Sequence, residues 1–161
     1  MALNRKTELV VEAPVSGSKS EVWVEFGEPA ENLDVVQVQA WVRAACAGRT
    51  GAVYVRFVGE EEGRSLNSRF RQIVQATNVL AFPANEKGIL GDIAICIPLA
   101  IEEAVDQGKS LIAHLAHLVV HGALHLCGYD HEDSKEAEKM EAKETQILLK
   151  LGFDNPYTPH G

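Results

Sequence analysis

Three histidines lie within one short stretch, HGALHLCGYDH, which contains His121, His125 and His131. On an α-helix, residues four apart share a face, so the imidazoles of His121 and His125 can reach one cation. Gly128 can adopt a left-handed conformation that ends the helix, and the turn would bring His131 back toward the other two. Three neutral nitrogen ligands with one coordination position open are typical of a catalytic zinc. The stretch therefore predicts a zinc (Zn2+) enzyme, although imidazole also suits other transition metals.

The same helix carries two further histidines, His114 and His117, in a run that is otherwise apolar apart from one glycine. A lone histidine in such a run is typically a hydrogen-bonded core residue, but several in one uncharged run favour a metal site. His117 could also belong to a stripe with His121 and His125. However, a straight helix separates His117 from His125 by about 12 Å, whereas ligands of one zinc lie roughly 3–3.5 Å apart. We therefore expect His114 and His117 to be core or supporting residues, with His117 the nearer to the site.

The histidine spacing matches the metzincin protease pattern HExxHxxGxxH. In those proteases, the residue after the first histidine is a glutamate that acts as the general base. Here that position is Gly122, which has no side chain to accept a proton. The ligand pattern of a zincin is thus present without its peptidase base, which argues against a protease.

Length and composition fit one globular domain covering residues 1–161. The histidine run is shorter than the roughly 20 apolar residues of a membrane span, and residues 1–13 lack the apolar core of a signal peptide. The three cysteines show no paired spacing, which favours thiols in a reducing cytoplasm. We expect a cytoplasmic protein with no membrane partner.

The formal net charge of −8 argues mildly against a general nucleic-acid binder, and no DNA partner is expected. The charge is unevenly spread, since residues 43–71 contain six arginines against three glutamates. An acidic outer surface and one positive cleft can coexist on an enzyme, but such clustering alone decides nothing.

Apolar patterning predicts an α+β fold, in which a small mixed sheet packs against helices and a zincin-like metal-binding helix is followed by a glycine turn. Strands are predicted at residues 8–11, 51–58, 78–82 and 89–97, and helices within 30–47, at 65–72, from Ser110 through the histidines, and at 134–151. Residues 60–63 are expected to form a charged turn, with Ser65 as the N-cap of the helix that follows. Residues 153–161, with two prolines, are expected to be a loosely held tail.

Three segments have a distinctive appearance: LNSRFRQIVQATNVLAFP at 66–83, LGDIAIC at 90–96 and AHLVVHGALHLCGYDH at 116–131. Together they resemble the YbeY family of bacterial rRNA-maturation endoribonucleases, whose motifs are LNxxYR, TNVLSF, LGDI and HGxLHLxGYDH. The resemblance covers roughly residues 50–152. Departures are Phe70 for the usual Tyr, Gln75 for Pro and Ala81 for Ser, and none is a proposed ligand.

The resemblance implies cleavage of single-stranded RNA, processing of the small-subunit rRNA 3′ end and a role in ribosome quality control. It also implies the ribosome or its assembly factors as partners. His121, His125 and His131 match the family's metal ligands, and Arg71 matches the arginine of LNxxYR, which the family places in the active-site cleft. A guanidinium there could bind two phosphate oxygens and offset charge in the transition state.

The expected mechanism is a zinc-activated water or a zinc-polarised phosphate, with Arg71 binding the phosphate. The general base is unidentified. His117 and Asp130 are candidates. A carboxylate beside a metal ligand more often orients the imidazole of that ligand, and this is the alternative role of Asp130. Asp92 could orient Arg71 or a ligand, or cap a strand end.

Two other functions remain open. A ribosome-assembly factor without catalysis, holding a structural zinc, fits the family context. A metallohydrolase of peptide or amide substrates fits the ligands but needs a base that the sequence does not offer.

Overall fold

The computed structural model of the chain describes residues 21–70, 79–84, 86–130 and 132–157, and for residues 67–70 it describes the backbone alone. In chain order, the described elements are β1 (Val22–Phe26), α1 (Val35–Ala45), β2 (Ala52–Val58), α2 (Glu60–Phe70), β3 (Val79–Pro83), β4 (Ile89–Cys96), α3 (Ile97–Gln107), α4 (Leu111–Leu126) and α5 (Ser134–Lys150). Within these ranges, no helix is long and apolar enough to cross a membrane.

The strands form one mixed sheet in the order β1-β2-β4-β3. Strands β1 and β4 each pair with β2 in parallel, and β3 pairs with β4 antiparallel. A mixed sheet with helices packed against it confirms the predicted α+β class.

The two faces of the sheet carry different layers. Val53, Val55 and Ile93 contribute to the main core, which also contains buried side chains of α1, α4 and α5. The opposite face carries a smaller cluster that includes Leu66 of α2 and Ala94 of β4. Because side chains alternate along a strand, neighbouring residues of β4 face different layers.

The histidine helix α4 lies at the centre of the main core and contacts β3, β4, α1, α3 and α5. It begins as predicted, because the Ser110 hydroxyl accepts a hydrogen bond from the Ala113 N–H at 3.1 Å. It ends at Gly128, whose φ of +96° is left-handed. The N–H of Gly128 donates to His125 O and that of Tyr129 to Leu124 O, which is the Schellman arrangement.

Gly122 sets how closely α4 approaches the sheet. A Cβ at this position would lie 2.9 Å from Ile93 Cγ2 and 3.2 Å from Val79 Cγ2. The position that carries the base in metzincins therefore faces strands β3 and β4. A side chain there would collide with the core instead of entering a cleft.

Two predictions differ from the structure. Residues 60–63 form the first turn of α2 and not a charged turn, and Ser65 lies inside that helix and does not cap it. The three consecutive glutamates stabilise the positive end of the helix dipole. A Cβ on Gly63 would meet Cys96 Sγ at 3.0 Å, so the glycine permits close packing here.

Strand β1 and helix α3 were not predicted. Strand β4 ends at Cys96, and Pro98 lies in the first turn of α3, where proline needs no N–H partner. The strand predicted at residues 8–11 and the end of the helix predicted at 65–72 lie outside the described residues.

The segment after α5 contacts the core at Phe153. Phe153 packs against the main core, with its ring edge-on to Trp41 at a centroid distance of 6.0 Å. Residues 158–161 are outside the described part of the chain, so for them the loosely held tail stays a prediction.

We expect Gly122→Ala to lower the free energy of unfolding by about 1–2 kcal/mol, because overpacking against Ile93 and Val79 outweighs the gain in helix propensity. Urea denaturation would measure the change. The control compares the free energies of unfolding of Lys139→Ala and Lys139→Gly, at an exposed position of α5. Their difference gives the gain in helix propensity of alanine over glycine without any change in packing. Stabilisation of Gly122→Ala by that same gain would contradict the close packing.

Candidate metal centre

His121 and His125 occupy successive turns on the α5-facing side of α4, as their spacing predicts. Their Nε2 atoms lie 3.2 Å apart and their ring centroids 4.7 Å apart. Two nitrogens about 2.1 Å from a tetrahedral zinc are separated by roughly 3–3.5 Å. The pair therefore has the separation that two ligands of one zinc require.

Two predicted site residues, His131 and Arg71, lie outside the described residues. Within the described ranges, no group of three or more His, Cys, Asp or Glu side chains is placed to hold a metal ion. The described part of the centre is thus the His121–His125 pair with the residues that support it.

Glu144 of α5 is the main support, and its side chain is 0% exposed. Its Oε2 contacts His121 Nδ1 in a short hydrogen bond, and its Oε1 lies 2.9 Å from His117 Nε2. Burial alone would raise the pKa of this carboxyl. The hydrogen bonds from His117 and His121 outweigh that effect and lower the pKa to about 2, so Glu144 is a buried carboxylate.

The Glu144 carboxylate determines which ring nitrogen of His121 carries the proton. A carboxylate can only accept, so the proton of the His121 imidazole lies on Nδ1 and the lone pair on Nε2. That lone pair points toward His125 Nε2. A carboxylate behind a ligand histidine is the usual outer-shell partner of a zinc site, where it fixes the ring and raises its basicity.

His117 and His114 each pair with a glutamate of a neighbouring helix. His117 shares Glu144 with His121, so its Nε2 is already engaged. His114 is buried and its Nε2 lies 2.9 Å from Glu103 Oε1. Burial lowers the pKa of His114 more than the Glu103 hydrogen bond raises it.

Asp92 and Asp130 differ in position. Asp92 is fully buried on β4, between Gly91, which faces Leu126 of α4, and Ile93, which faces Gly122. By strand alternation Asp92 belongs to the opposite face, so the structure separates it from the histidine pair. Its expected partner Arg71 is outside the described residues. Asp130 is half-buried and follows the Gly128 turn, next to His131 in sequence.

Sequence reasoning missed Glu144, although a signal was present. Glu144 lies four residues after Met140 and four before Leu148, and both of these are buried. It is therefore on the inward stripe of α5, where a charged residue needs a partner.

The sequence profile of the family described as Endoribonuclease YbeY matches residues 28–152. The chain is 50% identical over 149 residues to the Endoribonuclease YbeY of Xanthomonas axonopodis pv. citri (strain 306), a match that covers 85% of this chain and 92% of that protein. It is 47% identical over 154 residues to the Endoribonuclease YbeY of Azoarcus sp. (strain BH72), covering 89% of this chain and 60% of that one.

A solved structure is similar as well. The solution structure of TM1509 from Thermotoga maritima superimposes with a TM-score of 0.56 at 27% sequence identity, covering 81% of this chain and 91% of that one. The profile match spans α1 to α5 and includes His121, His125, Glu144 and the positions of Arg71 and His131. The chain therefore belongs to the YbeY endoribonuclease family.

Proposed function

We propose that this chain is a zinc-dependent endoribonuclease that cleaves single-stranded RNA. The observation that carries the metal is the 3.2 Å separation of the His121 and His125 Nε2 atoms, with Glu144 fixing the tautomer of His121. Family membership carries the reaction. We further propose the small-subunit rRNA 3′ end as substrate, the ribosome or its assembly factors as partners, and the cytoplasm as location.

His121, His125 and His131 would hold the ion. When bound, the zinc would supply Lewis-acid chemistry, either activating a water or polarising a phosphate oxygen. The donor set fits, because the Nε2 atoms of His121 and His125 lie at a ligand separation and the buried carboxylate behind them favours a nearby positive charge.

Arg71 would bind the scissile phosphate. Its guanidinium can donate to two phosphate oxygens and offset the negative charge that develops during cleavage. Of the two candidate bases, His117 is engaged with Glu144, and we assign it to the support of that carboxylate. Asp130 stays the candidate base, beside the third proposed ligand.

One observation argues against a peptidase. The position of the zincin base, Gly122, is buried against Ile93 and Val79, so it does not open toward the histidine pair. If the chain were a non-catalytic assembly factor with a structural zinc, replacing His131 would unfold the protein.

We expect removal of the metal to abolish RNA cleavage. Purified protein should cleave a single-stranded fragment of the rRNA 3′ end, lose cleavage after chelator treatment and regain it with added zinc. His131→Ala should lose cleavage yet keep the melting temperature of zinc-free wild type. Unfolding of His131→Ala would favour the structural zinc, and cleavage that persists without metal would contradict the proposal.

Arg71→Ala should lower kcat by about 10²-fold, because one donor to transition-state charge is worth roughly that much. Single-turnover cleavage at saturating protein measures the effect. The control is Arg64→Ala, which removes an exposed arginine that lies seven positions before Arg71 and pairs with Glu60. An equal loss in both variants would assign Arg71 to general attraction of RNA instead of to the reaction.

Glu144→Gln should weaken zinc binding about 10–100-fold, the usual cost of losing an outer-shell partner. The amide can donate as well as accept, so it no longer enforces the His121 tautomer. Competition with a chromophoric chelator gives the dissociation constant. Glu138→Gln, an exposed change of the same chemistry on α5, should leave it unaltered.

A further inference from the structure

The chain after α5 turns back along that helix. Gly152 is left-handed, with φ of +95°, and the Phe153 N–H donates to Leu148 O at 2.9 Å. The Phe153 ring then packs edge-on to Trp41 in the core. Glu144 lies six residues before the helix end at Lys150, or about 9 Å along the axis. A few residues are enough to span that distance, and the contacts of Tyr157 show that they do.

Tyr157 ends this returning segment beside Glu144. Its N–H donates to Asn155 Oδ1 at 2.8 Å, which fixes the local turn. Its hydroxyl donates to Glu144 Oε1 in a short hydrogen bond and lies 3.3 Å from His117 Nε2. The residue is 44% exposed, so the ring reaches solvent while the hydroxyl points inward.

The hydroxyl keeps its proton and acts as a donor. Burial raises the pKa of Tyr157, and its hydrogen bond to the negative Glu144 raises that pKa further. Donors therefore converge on both carboxylate oxygens: His117 and Tyr157 on Oε1, and His121 on Oε2. A carboxylate bound at both ends cannot rotate without losing a hydrogen bond.

We infer that Tyr157 is a positioning residue of the metal centre: its hydroxyl holds Glu144 in the rotamer that orients His121. This inference rests on the proposed zinc site. It assigns a role in metal affinity to residues 152–157, which contribute no proposed ligand. The hydroxyl acts through Glu144, which receives the Tyr157 hydrogen bond at Oε1 and the His121 hydrogen bond at Oε2.

The segment has an anchor that is independent of the hydroxyl. Phe153 is held by Trp41, and the Tyr157 ring lies edge-on to His117 with centroids 5.4 Å apart. Tyr157→Phe keeps both contacts and removes one donor to Glu144. The variant therefore separates orientation of the carboxylate from anchoring of the segment.

The test measures the zinc dissociation constant of the full chain by competition with a chromophoric chelator, together with the melting temperature of the zinc-free protein. Tyr157→Phe should weaken zinc binding by about tenfold with an unchanged zinc-free melting temperature. The control is Tyr54→Phe, which removes the same hydroxyl group from β2. Tyr54 lies between the core-facing Val53 and Val55, so its side chain is on the opposite face of the sheet, and this variant should bind zinc as wild type does.

A backbone pair provides a second test. Gly152→Ala and Gly88→Ala both place a side chain at a left-handed position with nothing within 4 Å, so both should strain the backbone. Only Gly152→Ala should also weaken zinc binding, because it shifts the segment that carries Tyr157.

The outcomes separate the two hypotheses. Wild type that binds no zinc would overturn the proposed function and the inference together. Wild type that binds zinc, with Glu144→Gln weakened and Tyr157→Phe unaltered, would overturn the role of Tyr157 alone. Weakening in Tyr157→Phe but not in Tyr54→Phe would support it.

Discussion

A helix with four histidines at the centre of a core buries ring nitrogens that need partners, and this need shapes the structure around α4. His114, His117 and His121 each have one ring nitrogen paired with a carboxylate, while the Nδ1 atoms of His114 and His117 have no hydrogen-bond partner among the described residues. Glu103 meets His114 from α3, and Glu144 meets His117 and His121 from α5. Two helices thus each place a carboxylate against α4. The His121–His125 pair remains with its Nε2 atoms directed at one another, the arrangement that a shared cation would stabilise.

The same helix also packs on the sheet, and its two sides make different kinds of contact. On the sheet side, Gly122 lets α4 approach Ile93 and Val79, so no catalytic group can be placed there. On the α5 side, imidazoles and a carboxylate replace apolar packing. Close packing on one side and polar contacts on the other explain why the zincin ligand spacing occurs here without the zincin base.

The features that the sequence predicted correctly depend on local interactions. The Ser110 cap, the Gly128 turn and the spacing of His121 and His125 depend on neighbours within one or two turns, and the structure confirms them. What it missed depends on distant partners. Glu144 is recognised only when α5 is laid against α4, and the face occupied by Asp92 follows from strand pairing. Helix α2 begins earlier than expected, and its Gly63 packs closely on Cys96, a contact that the sequence of this segment alone does not reveal.

The order in which these residues occur along the chain has a consequence for biosynthesis. During translation, α4 emerges with His121 and His125 before α5 has been synthesised. The hydrogen bond from His121 to Glu144 can form only once α5 is made, and the one from Tyr157 to Glu144 only after the segment that follows α5. Until then, the proposed zinc site would lack the carboxylate that orients His121. The proposed site would therefore reach its full metal affinity only after α5 and the segment to Tyr157 have left the ribosome that is making the chain.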